Sequence, residues 1–262
     1  MDIGGKTVLL TGATGGIGHA IARRLHAAGA RLVLTGRRAG VLEPLAAELG
    51  ARSLAVDLAE PDQVARLAGE CADVDVLVAN AALPASGDLF SFSVEQLDRA
   101  LEVNLRAPMV LARELGERMA ARGSGHLVFI SSLSGKSGTS RSSVYSATKF
   151  GLRGFGQGLR EDLLPRGVGV SVIFPGFIRD AGMFAESGTK LPPLVGTSSP
   201  EEVADAVADA IARNRGEVDV APVPMRIATR FAAVAPGLAA TIGRRAANRI
   251  SRELSEGQAA KR

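Results

Sequence analysis

Residues 7–18 read Thr-Val-Leu-Leu-Thr-Gly-Ala-Thr-Gly-Gly-Ile-Gly, an apolar run that leads directly into a cluster of glycines. The run lacks the polar alternation of a half-exposed strand, so it predicts a strand that is buried on both faces. Glycines after such a strand let the backbone approach a pyrophosphate, and the N-terminus of the next helix offers it free N–H groups. The spacing meets the general dinucleotide-binding pattern only approximately, and an ordinary tight turn is the alternative. The candidate nucleotide-binding residues of this loop are Gly12, Thr14, Gly16, Ile17 and Gly18.

Similar apolar runs alternate with helical patterns along the rest of the chain, and the connections between them are short. Strands are predicted at residues 7–11, 31–35, 53–56, 74–79, 126–131, 169–174 and 217–220. Helices are predicted to begin near Gly16, Ala39, Pro61, Val94, Val144 and Pro200. This order predicts an α/β fold, a Rossmann-like doubly wound parallel sheet of about seven strands with helices on both faces.

Length and composition fit one such domain. The chain has 262 residues, of which 46% are hydrophobic and 22% charged, the ordinary mixture of a soluble globular protein. We place a single main domain at residues 1–221 and a basic amphipathic extension at residues 222–262, which holds eight Lys/Arg and two Asp/Glu. Because the net charge of the whole chain is +4, the main domain is slightly acidic, which argues against binding to nucleic acid.

Cysteine and histidine usage limits the other possibilities. Cys71 is the only cysteine, which excludes an internal disulfide and fits a reducing compartment. The three histidines are far apart in sequence, so we expect no metal site. The first residues include an acidic side chain and show no export signal, so we expect a cytoplasmic protein.

The end of the second predicted strand indicates which nucleotide is bound. A free ribose 2′-hydroxyl usually meets an Asp or Glu about 20 residues after the glycine loop, whereas a 2′-phosphate requires positive charge. Here Gly36 is followed by Arg37 and Arg38, and two guanidinium groups are suited to bind a phosphate. The alternative is that both arginines are solvated loop charges. The pattern favours NADP(H) over NAD(H).

Tyr145, the only tyrosine, is followed four residues later by Lys149, so both side chains leave one face of a helix. We expect the ammonium to lower the pKa of the phenol, which can then exchange a proton with a carbonyl oxygen. Ser132 ends the strand predicted at 126–131, at the sheet edge where ligands bind, and its hydroxyl is suited to hold that oxygen. The alternatives, all of which also suit turns, are Ser131, Ser134 and Ser137.

Together with further motifs, these residues resemble the short-chain dehydrogenase/reductase family in its single-domain form. The resemblance covers about residues 6–220, and the ordered set of motifs is highly specific although each motif alone is not. The motifs are TGATGGIG at 11–18, Asp57-Leu58, Ala79-Asn-Ala-Ala82, Asn104, Ser132, Tyr145-Ser-Ala-Thr-Lys149 and Pro175-Gly176.

The resemblance implies a role for each motif. Ser132 would orient a substrate carbonyl, Tyr145 would be the acid/base, and Lys149 would also bind the nicotinamide ribose. Asn104 would anchor a water that links Lys149 to solvent. Beyond the glycine loop, the implied cofactor-binding residues are Asp57, Leu58, Asn80, Pro175, Gly176 and Ile178. A dimer or tetramer, formed through the helix that carries Tyr145, is implied as well.

Three departures from the family pattern are visible. Ala82 stands where the family has a glycine, which predicts a small shift of the local backbone without loss of activity. Asp180 stands where the family often has a threonine, which puts the usual hydroxyl contact to the nicotinamide carboxamide in doubt. The helix of Tyr145 carries glycines at positions 151, 154, 156 and 158, and each costs up to about 1 kcal/mol of helix propensity, so we expect close helix–helix contacts to compensate.

The basic extension carries apolar residues at helical spacing, and Pro236-Gly237 should split them into two short helices. These residues are Ile227, Phe231, Val234, Leu238 and Ile242. Three interpretations stay open. The extension docks on its own domain or on a second subunit, it contacts a membrane surface as a basic amphipathic segment, or it forms a lid over an apolar substrate.

Residues 175–199 form a long irregular stretch that is typical of a lid. Within it, Met183, Phe184, Leu191 and Leu194 indicate an apolar substrate, such as a lipid- or steroid-like ketone, aldehyde or secondary alcohol. The predicted activity is hydride transfer between NADP(H) and such a carbonyl or alcohol. One alternative is a 3-oxoacyl thioester reductase. Another, outside enzymes, is a non-catalytic NADP(H)-binding sensor or interaction module.

Overall fold

A computed structural model describes residues 1–189, 191 and 195–258 of the chain. Its strands are β1 Thr7–Thr11, β2 Arg31–Gly36, β3 Arg52–Ala55, β4 Val76–Ala79, β5 Gly125–Ile130, β6 Val168–Pro175 and β7 Glu217–Val220. They form one parallel sheet in the order β3-β2-β1-β4-β5-β6-β7. The predicted Rossmann-like α/β fold with seven strands is therefore confirmed, and the strand ends differ from the predicted ones by at most two residues.

The strand order reverses at the centre of the sheet. Leu9 of β1 lies beside Val33 of β2 on one side and beside Leu77 of β4 on the other. The connections that leave β1 and β4 therefore diverge, and a crevice opens beyond the carboxyl ends of these two strands. Ligands of doubly wound folds bind in such a crevice.

Helices cover both faces of the sheet. They are α1 Gly16–Ala27, α2 Ala39–Glu48, α3 Pro61–Glu70, α4 Val94–Leu101, α5 Ala107–Arg122, α6 Ser143–Leu163, α7 Gly182–Ala185, α8 Pro200–Arg213, α9 Val223–Val234 and α10 Pro236–Gly257. The six predicted helix starts agree within one residue. The sequence patterns did not separate α5 from α4, because a single π-helical turn, Glu102–Arg106, joins them without a break.

The core consists of two apolar layers, one on each face of the sheet. Leu9 and Phe129 belong to one layer, and their chain neighbours Leu10 and Ile130 belong to the other. Successive side chains of a strand point to opposite faces, so a strand that is buried on both faces must be apolar at every position. This explains the continuous apolar run that precedes the glycine loop.

The basic extension forms two helices that meet at Ala235, directly before Pro236. The predicted split is present, but α10 has 22 residues and is much longer than the short helix expected. The side chain of Ile242 lies outside the described part of the chain. Among the described helices, none combines the length and the apolarity that crossing a bilayer requires.

Candidate active site

The glycine loop lines a cavity of about 440 Å³ at the crevice between β1 and β4. We call it the loop cavity, and its other walls include residues 36–38, 56–58 and 80–84. All five predicted loop residues, from Gly12 to Gly18, lie in its wall. Helix α1 begins there behind Gly15 without a side-chain cap, so the N–H groups of its first turn, which lack partners within the helix, lie at the cavity wall. Such a helix end binds anions.

Close packing explains why this loop needs glycine. Gly12 has a φ of +67°, and a Cβ on it would lie 2.7 Å from the Cα of Ala81. A Cβ on Gly18 would lie 2.2 Å from the carbonyl oxygen of Gly12. The Asn80 side-chain amide donates to the carbonyl oxygens of Thr11 and Gly12, at 3.0 and 3.1 Å, and fastens the loop to the end of β4.

Two arginines stand at the end of β2, on the rim of the loop cavity. Nη2 of Arg38 donates to the Thr14 carbonyl at 2.6 Å, which holds this side chain against the glycine loop. The Arg37 guanidinium is exposed and has no hydrogen-bond partner among the described residues. A Cβ on Gly36 would lie 2.7 Å from Thr14, so this packing leaves no space for an acidic side chain at that position.

Asp57 and Leu58 also line the loop cavity, as the resemblance implies. The Asp57 carboxylate accepts hydrogen bonds from Nη2 of Arg99 at 2.8 Å and from the Ala59 amide at 3.0 Å. The role of Arg99 was missed, because it stands 42 residues from its partner and belongs to no motif. A contact of Asp57 with an adenine amino group stays a prediction.

A second cavity, of about 420 Å³, adjoins the first and contains Ser132, Tyr145 and Lys149. We call it the tyrosine cavity. The two cavities share the wall residues Ile17, Asn80, Ala82, Met183 and Gln258. Most of its remaining wall is apolar and is formed by Leu133, Phe177, Phe184, Met225 and Leu254, among others. The cavity therefore suits an apolar molecule that carries one polar group.

The three polar residues reach this cavity from two neighbouring elements. Ser132 follows the end of β5, whereas Tyr145 and Lys149 lie in the first two turns of α6. The Lys149 side chain is 2% exposed, and its Nζ donates to the Ile130 carbonyl at 2.9 Å. The same Nζ lies 5.6 Å from the centre of the Tyr145 ring. The alternative Ser131 uses its hydroxyl in a bond to the Lys149 carbonyl at 3.0 Å, while Ser134 and Ser137 also line the cavity.

Burial controls the protonation of the Tyr145 phenol. Desolvation raises its pKa to about 12, and a hydrogen bond with the Ser132 side chain offsets only part of this effect. Desolvation therefore dominates, and the net pKa of Tyr145 is raised rather than lowered as expected from the neighbouring Lys149. Burial also lowers the Lys149 pKa to about 8. Near neutral pH, the phenol carries its proton and most of the lysine is charged.

Asn104 is fully buried in the π-helical turn and lines neither of these two cavities. Its Oδ1 accepts from the Leu83 amide at 2.6 Å, and its Nδ2 donates to the Leu83 carbonyl at 2.9 Å. Because Leu83 borders the loop cavity, Asn104 holds the wall of that cavity in place. The water that would link it to Lys149 stays a prediction.

The segment after β6 lines the tyrosine cavity through Pro175, Gly176 and Ile178. Asp180 lines neither cavity, has a φ of +65° and pairs with Arg179 at 3.4 Å. Its side chain is exposed and does not replace the threonine of the family pattern. Ala82 lines both cavities and has no left-handed φ, so the methyl group is accommodated without backbone strain.

Of the predicted apolar lid residues, Met183 and Phe184 line the tyrosine cavity. Leu191 does not, and Leu194 lies outside the described residues. The basic extension contributes wall residues that local sequence patterns did not single out, namely Met225, Ala228, Thr229, Ser251, Leu254 and Gln258. The extension therefore packs on its own domain and closes one side of the cavity.

In the part of the chain that the structure describes, no group of three or more His, Cys, Asp or Glu residues is placed to hold a metal ion. The glycines of the α6 helix differ in their surroundings. A Cβ on Gly151 would meet Leu105 at 3.0 Å and one on Gly156 would meet Val172 at 2.5 Å, whereas Gly154 and Gly158 face open space.

The sequence pattern of the family described as "short chain dehydrogenase" matches residues 6–192. This range includes the glycine loop, Ser132, Tyr145 and Lys149, and it covers more than two thirds of the chain. The protein therefore belongs to the short-chain dehydrogenase family of oxidoreductases.

Individual relatives support this assignment. The ketoacyl reductase HetN of Nostoc sp. is 37% identical over 230 residues, which cover 84% of this chain and 80% of the relative. The 3-oxoacyl-[acyl-carrier-protein] reductase FabG of Rickettsia felis is 33% identical over 216 residues, which cover 79% of this chain and 90% of the relative. A short-chain dehydrogenase from Sphingobium yanoikuyae, solved in complex with NADPH, superposes with a TM-score of 0.78 at 28% identity and covers 91% of this chain and 95% of that one.

Proposed function

We propose that this protein is an NADP(H)-dependent oxidoreductase that transfers a hydride between the nicotinamide and a carbonyl or secondary alcohol of an apolar substrate. The observation that carries the proposal is the meeting of Ser132, Tyr145 and Lys149 in one largely apolar cavity that adjoins the glycine loop. A nicotinamide nucleotide fits the loop cavity, because the uncapped end of α1 suits its diphosphate. When bound, the nucleotide supplies or accepts the hydride.

The chain's own residues manage the substrate oxygen and its proton. The Ser132 hydroxyl donates a hydrogen bond to that oxygen, and Oη of Tyr145 gives it a proton as the alcohol forms. A phenol with a pKa of about 12 carries this proton at neutral pH and can therefore donate it during carbonyl reduction. The Lys149 ammonium, held by the Ile130 carbonyl, stabilises the phenolate that remains.

Replacing Tyr145 tests the mechanism. In Tyr145→Phe, we expect kcat for carbonyl reduction to fall by about 10²–10⁴-fold, because the proton donor is lost while the ring remains. The Kd for NADPH, measured by fluorescence titration, should stay within twofold of the wild type. Unchanged turnover would show that the assigned mechanism is wrong. Tight NADPH binding by the wild type without turnover of any carbonyl in a broad panel would favour the sensor or interaction module.

Arg37 is the proposed ligand of the ribose 2′-phosphate, since its exposed guanidinium lies on the rim of the loop cavity. A charge-assisted hydrogen bond contributes about 1.5–3 kcal/mol, so Arg37→Leu should weaken NADPH binding by about tenfold or more. NADH binding should change little. Arg31→Leu, at the opposite end of the same strand and also exposed, is the matched control. If the ratio of NADPH affinity to NADH affinity is the same in the wild type and in Arg37→Leu, the proposed preference for NADPH is wrong.

The substrate class follows from the wall of the tyrosine cavity, which suits lipid- or steroid-like ketones. A 3-oxoacyl thioester is the second candidate, because the similar proteins HetN and FabG are named ketoacyl reductase and 3-oxoacyl-[acyl-carrier-protein] reductase. A kcat/KM comparison of apolar ketones with 3-oxoacyl thioesters of matched chain length separates the two. Turnover restricted to small polar carbonyls would contradict both.

The outward face of α9 is the proposed contact with an anionic membrane surface. Val223, Ile227, Phe231 and Val234 leave one side of this helix and are 43–86% exposed, as is Leu238 beyond it. The extension carries six more basic than acidic residues, a charge that attracts anionic lipid and repels a second copy. Full-length Ile227→Gln/Val234→Gln should co-sediment with phosphatidylserine vesicles less than the wild type. If the variant and the wild type co-sediment with the vesicles to the same extent, the proposed membrane contact through α9 is wrong.

We propose a homodimer or homotetramer through the outer face of α6. Phe150 is 42% exposed on this helix, and Gly154 and Gly158 leave open space beside it. Sedimentation velocity should show a species of twice the monomer mass or more, which Phe150→Glu shifts toward the monomer. A wild-type protein that sediments as a monomer at micromolar concentration would contradict this assembly.

A further inference from the structure

The last turns of α10 lie across the junction between the two cavities. Ser251, Leu254 and Gln258 follow one another at helical spacing and line the tyrosine cavity. Gln258 lines the loop cavity as well, together with Gly257. One helix end therefore contributes to the walls of both spaces, although it is more than 50 residues beyond the segment that matches the family.

This helix end is seated firmly on the segment that contains α7. A Cβ on Gly257 would lie 2.5 Å from the Ser187 carbonyl oxygen, so the two backbones are in close contact. Nε2 of Gln258 donates to the Met183 carbonyl at 3.3 Å. Any side chain at position 257 would clash with Ser187. This close contact therefore fixes how α10 approaches the two cavities.

Gln258 also has an unusual polar atom. The residue is 4% exposed, and its Oε1 is buried without a hydrogen-bond partner among the residues that the structure describes. Leaving a buried amide oxygen unpaired costs about 1–3 kcal/mol, so such atoms are rare unless a ligand or water completes them. The Met183 carbonyl fixes which way the amide points, because only the NH₂ group can donate to it.

We infer that Gln258 is a binding residue for the nicotinamide half of the nucleotide, and that the end of α10 is a strap across it. This inference rests on the proposed function. A nicotinamide nucleotide brings hydrogen-bond donors to this junction, namely the ribose hydroxyls and the carboxamide NH₂. One of them completes Oε1, while the backbone contact at Gly257 keeps the strap in place.

Equilibrium binding tests the inference without relying on turnover. In Gln258→Met, which keeps the length of the side chain, the Kd for NADPH should rise by about three- to tenfold, the loss expected for one neutral hydrogen bond. Stability without nucleotide should change little, because the variant removes the unpaired buried oxygen and also the donor to the Met183 carbonyl, and the two effects oppose each other. Glu256→Met, exposed on the same last turn, is the matched control and should bind NADPH as the wild type does.

Outcomes for the strap and for the proposed function are separable. Wild-type protein that binds no NADPH overturns the proposed cofactor, whereas normal wild-type binding with an equal Kd in Gln258→Met overturns the strap alone.

A second measurement uses the wild type only. Tryptic cleavage after Arg252, which is exposed, should slow several-fold with saturating NADPH and less with adenosine 2′,5′-bisphosphate, which lacks the nicotinamide half. Equal protection by both compounds would also overturn the strap.

Discussion

Lys149 is buried at a cost to stability that a single substitution should reveal. Lowering its pKa from 10.5 to about 8 corresponds to about 3 kcal/mol against the charged form, at about 1.4 kcal/mol per pH unit. Lys149→Met removes this penalty but leaves the Ile130 carbonyl without its donor, which costs about 1–3 kcal/mol. We therefore expect the variant at pH 7 to be as stable as the wild type or more stable by up to about 2 kcal/mol, while carbonyl reduction is lost.

The pH dependence gives the sharper signature. The folded-state pKa of Lys149 lies below its unfolded value, so between about pH 8 and 10.5 the unfolded chain binds the proton more strongly. The free energy of unfolding of the wild type should therefore rise relative to Lys149→Met as the pH increases, by about 2 kcal/mol between pH 7 and pH 9.5. Urea unfolding of both proteins without nucleotide, at a series of pH values, measures the difference.

Lys136 supplies the control, because it is a second buried lysine but a paired one. Its Nζ lies 2.6 Å from Asp219 and 2.9 Å from Glu217, and the Asp219 side chain is 4% exposed. Lys136→Met leaves that carboxylate buried without this partner and should cost about 3–5 kcal/mol. If Lys149→Met is destabilised as strongly as Lys136→Met, or if its difference from the wild type does not change with pH, the argument from burial is refuted.

Three further predictions concern the core. Gly156→Ala should destabilise the protein by about 1–3 kcal/mol in urea unfolding, because its Cβ would lie 2.5 Å from Val172. Gly158→Ala, the control in open space, should be neutral or stabilising. Equal effects of the two substitutions would contradict this packing. Burial lowers the His126 pKa to about 3, below its usual 6.5, so stability falls as the pH decreases through this window, by about 2 kcal/mol between pH 7.5 and pH 5. If the stability of His126→Gln falls by the same amount over this pH range, protonation of His126 is not the cause. Burial raises the Cys71 pKa to about 11, so a thiol reagent should modify it only on unfolding, and rapid modification of the folded protein would show that the site is open.

Much of the fold follows from local patterns in the chain. The apolar run before Gly12 predicts a strand that is buried on both faces, and six of the helix starts are marked by residues within one or two turns. The Tyr145–Lys149 spacing likewise places both side chains on one face of a helix. These features are predictable because they depend on neighbours a few residues away, through backbone conformation and side-chain periodicity.

Other features depend on contacts between residues that are distant in sequence. The pairing of Arg99 with Asp57 joins residues 42 positions apart, and Gln258 reaches Met183 across 75. The raised pKa of Tyr145 comes from desolvation, and this residue packs against Ala85 and Ala100, which no pattern around the tyrosine reveals. Sequence alone therefore determined the sheet and the glycine loop, and it singled out the candidate reacting groups. Tertiary structure decided the protonation of these groups and which segments enclose the tyrosine cavity, because desolvation and cavity shape arise only where distant segments pack together.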